Sequence, residues 1–291
     1  MTTSGTPDTE TSHFIDLARD LSRVNRRLYR AGRDYHVKKV TIVSSNTPNL
    51  GNRISVSTAP DSWVARGAWH RAFKAWNQMN KTATGQLSGN ISGTWADFKI
   101  FLSADMAGAT LLSPLDNGGA AVAAALNWDV STFVTPDGTT TDDEFYGTLL
   151  GDHVTAGTGD RTSVGLIKSY GESRATVQIT DPAVPSTASA DPLVNLFDYG
   201  TTIDDVVDNL EDENDAPPYS QVQYAGGGAN MTKPLVCQDT TIVDGRAVMG
   251  SFNALMGHLE FEIKSALPSD TFSVLIELAA GKYRGIIGRR S

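Results

Sequence analysis

The stretch HLEFEIKS (258–265), followed after a Pro-Ser-Asp turn by TFSVLIELAAGKYRGIIG (271–288), decides the fold class. In the first segment the apolar residues Leu259, Phe261 and Ile263 alternate with polar ones, which is the period of a β-strand with one buried face. The second segment is rich in the β-branched and aromatic residues that favour strands. Both segments therefore predict β-strands near the C-terminal end of the sequence.

Short segments of the same kind recur along the chain, separated by polar or glycine-containing turns. They are KKVTIVSS (38–45), RISVSTAP (53–60), TWADFKIFLSAD (94–105), ALNWDVSTFVT (125–135), SVGLIKSY (163–170) and RATVQIT (174–180). Many short antiparallel strands predict a mainly β fold, a sandwich or jelly roll, over residues 37–291. We favour a single roll because no internal duplication is found, although two fused smaller rolls fit the length equally. Turn-rich stretches at 135–162 and 200–230 predict insertions.

The N-terminal segment differs in composition from this β region. Residues 1–12 are polar and hold no core-forming residue, so they predict a disordered tail. Residues 13–36 predict a basic amphipathic helix, capped by Thr11 or Ser12 and ending near Gly32. Its apolar stripe has the 3–4 spacing of a packing helix. The stripe comprises Phe14, Leu17, Leu21, Val24 and Leu28.

The arginines of this helix fall on the face opposite the apolar stripe, and positive charge continues beyond them. Guanidinium groups bind phosphate oxygens in a sequence-independent way, so this face predicts an inward-facing nucleic-acid arm. A solvated surface helix and a helix lying on an internal membrane would show the same pattern. The candidate nucleic-acid-binding residues are Arg19, Arg23, Arg26, Arg27, Arg30, Arg33, Lys38 and Lys39.

A second helix is predicted over APDSWVARGAWHRAFKAWNQMN (59–80), capped by Asp61 or Ser62. Trp69, Phe73 and Trp76 share one face with Ala72, which predicts core packing against a sheet. Base stacking would need exposed rings, which this spacing does not suggest. A basic row of Arg66, His70 and Lys74 lies on another face.

Composition and motifs favour a structural protein over an enzyme. The net charge of −9 argues against a chain coated in nucleic-acid-binding surface. The single cysteine, Cys237, cannot form an intramolecular disulfide. The 5 histidines are scattered, and the sequence has no nucleophile elbow, Walker loop or dinucleotide fingerprint. We therefore predict no catalytic residues, no metal and no cofactor, and Asp152, His153 and Asp160 make only a weak acid–base cluster.

The acidic stretch DDVVDNLEDENDAPPY, which begins at Asp204, is the other feature that could bind an ion. Calcium favours such oxygen-rich loops, but the spacing does not match an EF-hand. An outward-facing charged loop is the better interpretation, and whether residues 204–215 bind calcium stays open.

Four segments together resemble the major capsid proteins of small circular-DNA viruses known mainly from environmental, often marine, sequences. They are VNRRLYRAGRDYHVKKVTI (24–42), SWVARGAWHRAFKAWNQM (62–79), ENDAPPYSQVQYAGGGAN (213–230) and LIELAAGKYRGI (275–286). In that family the acidic-Pro-Pro-Tyr stretch runs into Tyr-Pro-Gly-Gly, whereas here Tyr224 is followed by Ala225. Residues 100–200 are not covered by the resemblance.

The resemblance implies a jelly-roll subunit that self-assembles into an icosahedral shell around a viral DNA genome. The expected partners are other copies of the chain, viral nucleic acid bound through its phosphates, and an internal membrane or minor capsid proteins. The expected location is the virion, assembled inside the host cell, since the polar N-terminus is unlike a secretory signal. An accessory spike or fibre, or a carbohydrate-binding β module, is the alternative.

Overall fold

The computed structural model describes residues 1–44, 51–85, 96–125, 127–136, 142–155, 161–175, 218–219, 223–227 and 234–280. Within these ranges the protein is mainly β, with antiparallel sheets and a few helices, which confirms the predicted fold class at that level. The strands are β1 (Thr11–Asp16), β2 (Tyr35–Ser44), β3 (Arg53–Thr58), β4 (Thr132–Pro136), β5 (Asp142–Thr148), β6 (Val154–Thr155), β7 (Arg161–Gly165), β8 (Leu235–Thr240), β9 (Arg246–Met249), β10 (Phe252–Ala254), β11 (His258–Lys264) and β12 (Phe272–Leu278). The helices are α1 (Leu17–Asn25), α2 (Trp63–Gly85), α3 (Ala104–Gly108) and α4 (Leu166–Ala175).

The first sheet is antiparallel throughout and has the order β1-β11-β3-β8. Strand β11 lies in its interior, where Phe261 pairs with His13 of β1 on one side and with Val56 of β3 on the other. Leu259, Phe261 and Ile263 are fully buried, as their alternation predicted.

The second sheet is built around β2, which pairs with β12 on one side and with β9 and β10 on the other. A bulge shifts its register, because Glu277 faces Lys39 whereas Leu278 faces Val37. The buried positions accordingly change from Tyr35 and Val37 before the bulge to Val40 and Ile42 after it. The lysine pair that interrupts the alternation in the sequence is therefore the site of the bulge.

These two sheets pack through one hydrophobic core. It joins Val40 and Ile42 of β2 to Val56 of β3 and Phe261 of β11, all at 0% exposure. Helix α1 adds Leu17 and Ala18 to the same core. Apolar side chains from both sheets therefore share this core.

A second core lies beside the first and is built mainly from the chain between β3 and β8. Helix α2 packs there with residues 98–106 and with Leu149, Leu150 and Ile167. A third sheet, ordered β4-β5-β7-β6, borders this core and contains a parallel pair between β5 and β7. Helix α4 packs on α2 so closely that a Cβ at Gly67 would lie 2.9 Å from the Tyr170 ring.

Residues 1–12 differ from the disordered tail that their composition predicts. The backbone of Thr3 donates to Asp270 at 2.9 Å, Ser269 donates to Ser4 at 2.9 Å, and Asp8 donates to Ser265 at 2.8 Å. Residues 11 onward already belong to β1. Main-chain hydrogen bonds hold this polar segment in place. The amino-acid composition describes only the side chains, so it could not predict these bonds.

The predicted helix over 13–36 is also wrong in its bounds. Phe14 lies in β1, and α1 occupies only Leu17–Asn25. As a result Val24 is 53% exposed and Leu28 is 36% exposed, although the stripe predicted both to pack. The helix ends because Arg26 adopts a left-handed conformation, with φ 54°.

Between β3 and β8 the structure corrects three further predictions. The long loop at 135–162 contains β5 and β6, whose pairing with β7 is not visible in a polar sequence such as DDEFYGT. The predicted strand over 163–170 stops at Gly165, where α4 begins. The predicted strand over 94–105 is irregular from 96 to 100 and then passes into α3.

Several predicted features fall outside the described residues. They include the acidic stretch 204–215 and most of the insertion at 200–230. The described part of that insertion contains Tyr224, which is 1% exposed, and Gly226, whose carbonyl accepts from Gly151 N–H at 2.9 Å.

Candidate nucleic-acid interface

Helix α1, which carries the first of the candidate arginines, is fixed at both ends by short polar side chains. The Asp16 carboxylate caps the N-terminus by accepting from Arg19 N–H at 3.1 Å. At the other end Ser22 accepts from Tyr29 N–H at 2.9 Å, which turns the chain back against the helix. The capping residue is therefore Asp16, and neither Thr11 nor Ser12 has that role.

Arg23 points into the protein, contrary to the prediction that it belongs to an accessible basic face opposite the apolar stripe. Its side chain donates to the Val122 carbonyl at 3.0 Å, to Ser113 Oγ at 2.8 Å and to the Ala123 carbonyl at 3.1 Å. Only 5% of the residue is exposed. The guanidinium thus holds the 113–123 segment against α1 and is not available to a phosphate.

Arg19 is likewise 5% exposed and donates to the Leu112 carbonyl and to Asp20. Asp20 compensates the charge of both buried guanidiniums, at 2.9 Å from Arg19 and 3.9 Å from Arg23. Burial raises the pKa of the Asp20 carboxyl to about 6, although the neighbouring positive charges of Arg19 and Arg23 oppose that shift. Two of the eight candidate residues are therefore structural.

The remaining candidates occupy three different settings. Arg26, Arg27 and Lys38 are exposed. Lys39 is partly buried and forms an ion pair with Glu277 at 3.1 Å across the β2–β12 pair. Arg30 and Arg33 lie in the segment after α1, where both line the same cavity. Of these six candidates, Arg30 and Arg33 are the two that the structure places at one cavity.

That cavity, which we call the aromatic groove, has a volume of about 660 Å³. It lies between the segment 30–33, the segment 96–98 and the C-terminal half of α2. Its floor is aromatic and its rim is polar. The residues that define it are Arg30, Ala31, Arg33, Trp69, Phe73, Trp76, Asn77, Asn80, Lys81, Thr84, Ala96, Asp97 and Phe98.

The rings of the groove form a continuous series of contacts. Trp69 stacks on Phe73, with ring centroids 5.2 Å apart and an interplanar angle of 7°. Trp76 lies 6.3 Å from Phe73 and 5.6 Å from Phe98. Trp69 and Phe98 are buried, as core packing predicted, whereas Phe73 and Trp76 are only partly buried. Rings that sequence reasoning assigned wholly to the core therefore border open space.

Gly32 sets the position of the segment 30–33 on the deepest of these rings. Its φ is +71°, and a Cβ there would lie 2.3 Å from the Trp69 ring. Any other residue would both strain the backbone and displace the indole. The predicted role of Gly32, ending a helix, is replaced by this close approach.

Asp97 is the acidic residue on the groove wall. Its carboxylate accepts from Ala31 N–H at 2.8 Å and lies 3.7 Å from Arg30, which also donates to the Ala96 carbonyl at 2.7 Å. Burial raises the pKa of Asp97, while the hydrogen bond from Ala31 and the charge of Arg30 act in the opposite direction. These contacts fix the segment 30–33 to the opposite wall.

Four polar groove residues were missed by sequence reasoning. Asn77, Asn80, Lys81 and Thr84 follow Trp76 on the side of α2 that borders the groove. Continuing the helical period of Trp69, Phe73 and Trp76 for two more turns would have found them. The expected end of the helix near Asn80 hid this continuation, because α2 extends to Gly85.

The weak acid–base cluster is an ion-pair network between the residues after β5 and α4. Asp152 contacts Lys168, and His153 Nε2 lies 3.0 Å from Glu172. His153 Nδ1 accepts from Gly165 N–H at 3.2 Å, so in this geometry the ring donates through Nε2. Asp160 lies outside the described residues. The network joins the residues after β5 to α4.

In the part of the chain that the structure describes, no group of three or more His, Cys, Asp or Glu residues is arranged to hold a metal ion. Among the same residues, no helix combines the length and the apolar character needed to cross a membrane.

Comparison with known proteins identifies no relative. No protein-family model matches the chain, and neither a curated protein nor a solved structure is significantly similar to it. The resemblance of the four segments to capsid proteins therefore stays a prediction, and function is inferred from fold and site geometry.

Proposed function

We propose that this protein is the major capsid subunit of a small DNA virus, a jelly roll that self-assembles into an icosahedral shell around the genome. The observation that carries the proposal is the nested pairing of its strands. Strand β1 pairs with β11, β2 pairs with β9 and β10, and β3 pairs with β8, so each of these pairs lies inside the previous one along the chain. The pairing of β12 with the other side of β2 lies outside this nested set, because β12 follows β11.

Nested antiparallel pairs are what a long hairpin produces, and rolling that hairpin brings its outer strand beside an inner one. The added contact between β11 and β3 is of this kind. Shell and lectin domains commonly use such two-sheet rolls. The nesting supports a jelly roll more specifically than strand content does.

The nesting also favours one roll over two. Between β3 and β8 the chain contributes α2, α4 and the mixed third sheet, which is the pattern of an insertion at the inner end of a single rolled hairpin. The described residues contain no second nested set. A double roll would require one.

A shell subunit also needs surfaces that bind its neighbours. Val43, Val248 and Leu275 share the outer face of the second sheet, since Val248 and Leu275 both pair with Thr41. They are 45%, 54% and 58% exposed. Apolar residues grouped on a sheet face are typical of protein–protein contacts, and in the proposed shell neighbouring copies would cover them.

Electron microscopy of the purified protein at low and high salt tests the proposal. We expect uniform closed particles, with nucleic acid that is protected from nuclease. A monodisperse monomer or small oligomer in all conditions would contradict self-assembly and favour an accessory virion protein or a carbohydrate-binding module.

The exposed cations give a second, independent test. Replacing Arg26, Arg27 and Lys38 by Gln should lower the protected nucleic acid without changing thermal stability, because these side chains are exposed. Arg19 and Arg23 are left intact because they are structural. Particles with unchanged nucleic-acid content would show that these three cations do not contact the genome.

A further inference from the structure

The aromatic groove combines three chemical features that one class of ligand would use together. Its volume of about 660 Å³ lies within the range of roughly 300–1,000 Å³ typical of small-molecule sites. Its floor presents aromatic rings, its rim carries cations, and two side-chain amides lie between them.

Phe73 and Trp76 are the rings that offer a stacking surface. Both are partly buried, and their lower sides are supported by Trp69 and Phe98. A flat ligand placed on them would continue the series of ring contacts. Nucleobases stack on aromatic side chains in this way whatever their sequence, because every base has a π-face.

The charge on the rim is positive although the chain as a whole carries −9. Arg30, Arg33 and Lys81 line the groove, and Asp97 is the acidic residue among its lining side chains. Asp97 already accepts from Ala31 N–H and lies beside Arg30. Lys81 is exposed at the rim, so its ammonium group can complement an anion such as a phosphodiester.

Asn77 and Asn80 follow Trp76 on the groove side of α2. A side-chain amide both donates and accepts hydrogen bonds, so these residues can bond to the polar edge of a flat heterocycle. An unpaired base exposes that edge. A base inside a duplex is stacked and paired, and it can reach neither the rings nor the amides.

We propose that the aromatic groove binds unpaired nucleotides of single-stranded nucleic acid, with a base on Phe73 and Trp76 and its phosphate near Lys81. This inference rests on the proposed function, since it names the form of nucleic acid that the shell would contact. It also assigns Arg30 to fixing the groove wall through Asp97.

The test uses the full-length protein, a short fluorescent oligothymidylate and a duplex of equal length. We expect the single strand to bind more tightly than the duplex and to quench tryptophan fluorescence. Trp76→Ala should weaken single-strand binding by about 5- to 150-fold, the effect of losing one stacked base, and Trp76→Phe should restore most of it.

Matched variants on the same helix provide the controls. Trp63 is 41% exposed and lies outside the groove, so Trp63→Ala should leave binding unchanged. Lys81→Gln should reduce the slope of log affinity against log salt by about 0.7, the value for one single-strand phosphate contact. Lys74→Gln, also exposed on α2 but not lining the groove, should not change the slope.

Three results would overturn the groove assignment: equal loss in Trp63→Ala and Trp76→Ala, unchanged affinity in Trp76→Ala, or equal affinity for the duplex. If a soluble β-glucan oligosaccharide changed the tryptophan fluorescence through Trp76 and oligothymidylate did not, that result would reassign the groove to sugars. Electron microscopy of the same samples separates the two proposals. If closed particles form and Trp76→Ala binds the single strand normally, the groove proposal is refuted and the shell proposal is not. If single-strand binding depends on Trp76 but no particles form, the shell proposal is refuted and the groove proposal is not.

Discussion

Arg23 shows how a charged residue can be structural on an acidic protein. Replacing it by Ala would remove three hydrogen bonds and leave the partly buried carbonyls of Val122 and Ala123 without that donor. We expect Arg23→Ala to lower the free energy of unfolding by about 2–5 kcal/mol. Urea unfolding followed by circular dichroism measures this loss.

The matched control is Arg27→Ala, which changes the same residue type at an exposed position. The free energy of unfolding of this variant should differ from that of the parent protein by no more than about 0.5 kcal/mol. Equal stability of the two variants would mean that Arg23 is not held by the 113–123 segment. Arg23 would then again be a candidate for contacts with phosphates.

His258 is the residue whose protonation should matter most below neutral pH. It is 3% exposed, its Nδ1 has no hydrogen-bond partner, and burial lowers its pKa from 6.5, opposed only by the nearby Asp16. The unfolded chain therefore binds a proton more readily than the folded one. Below about pH 6.5 the free energy of unfolding falls as pH falls, by up to about 1.4 kcal/mol per pH unit.

The variant His258→Gln should flatten this dependence between pH 7 and pH 5 in thermal melts, when compared with the parent protein. Asp20 acts with the opposite sign, because its pKa of about 6 makes the folded state the better proton acceptor as pH falls. Asp20 is present in both proteins and cancels in the comparison. Parallel pH profiles would show that His258 is not buried neutral.

Strands in which apolar and polar residues alternate regularly could be predicted from the sequence, whereas short helices beside strands could not. Strand β11 follows its sequence pattern because each inward residue meets the facing sheet. The apolar 3–4 stripe that begins at Phe14 fails because it crosses from β1 into α1 at Asp16 and leaves the helix at Arg26. Neither boundary changes the apolar spacing, so periodicity could not find them.

The sequence predicts the α2 side of the aromatic groove but not its opposite wall. The prediction of core packing is correct for Trp69, whereas Phe73 and Trp76 are only partly buried. The predicted cap is also correct, because Ser62 accepts from Ala65 N–H at 3.1 Å. What the sequence could not give is the wall opposite this face. Arg30 and Arg33 reach it only because the chain leaves α1 and crosses Trp69 at Gly32, which is a tertiary contact between distant segments.

Burial along α2 predicts that its tryptophans differ in their contribution to stability. Trp69 is 2% exposed and stacks on Phe73, so Trp69→Ala should cost about 3–5 kcal/mol. Trp76 is only partly buried, and Trp76→Ala should cost about half as much or less. Urea midpoints of the two variants test this order, and a larger loss for Trp76 would place that ring in the core.

For the whole molecule, the nested pairing means that the two ends of the described chain meet. Ser12 of β1 faces Glu262 of β11, and the segment before β1 runs along the turn at 265–272. Contacts of such long sequence separation fold slowly, because loop closure precedes any gain from pairing. The N-terminal residues therefore complete the sandwich late and are held chiefly by backbone hydrogen bonds.

Deleting residues 2–9 should accordingly destabilise the protein, whereas a disordered tail could be removed without effect. The deletion removes the bonds of Thr3, Ser4 and Asp8 to the turn, including Asp270 N–H to Thr3 Oγ1 at 2.8 Å. At roughly 0.5–1.5 kcal/mol for each of these four bonds we expect a loss of about 2–6 kcal/mol in the free energy of unfolding, measured by urea unfolding. The control, Thr6→Ala with Glu10→Ala, changes exposed side chains and keeps the backbone donors, so it should be neutral. If the deletion were as stable as the control, the sandwich would close without its first segment, and residues 2–9 would be available as a mobile arm inside the proposed shell.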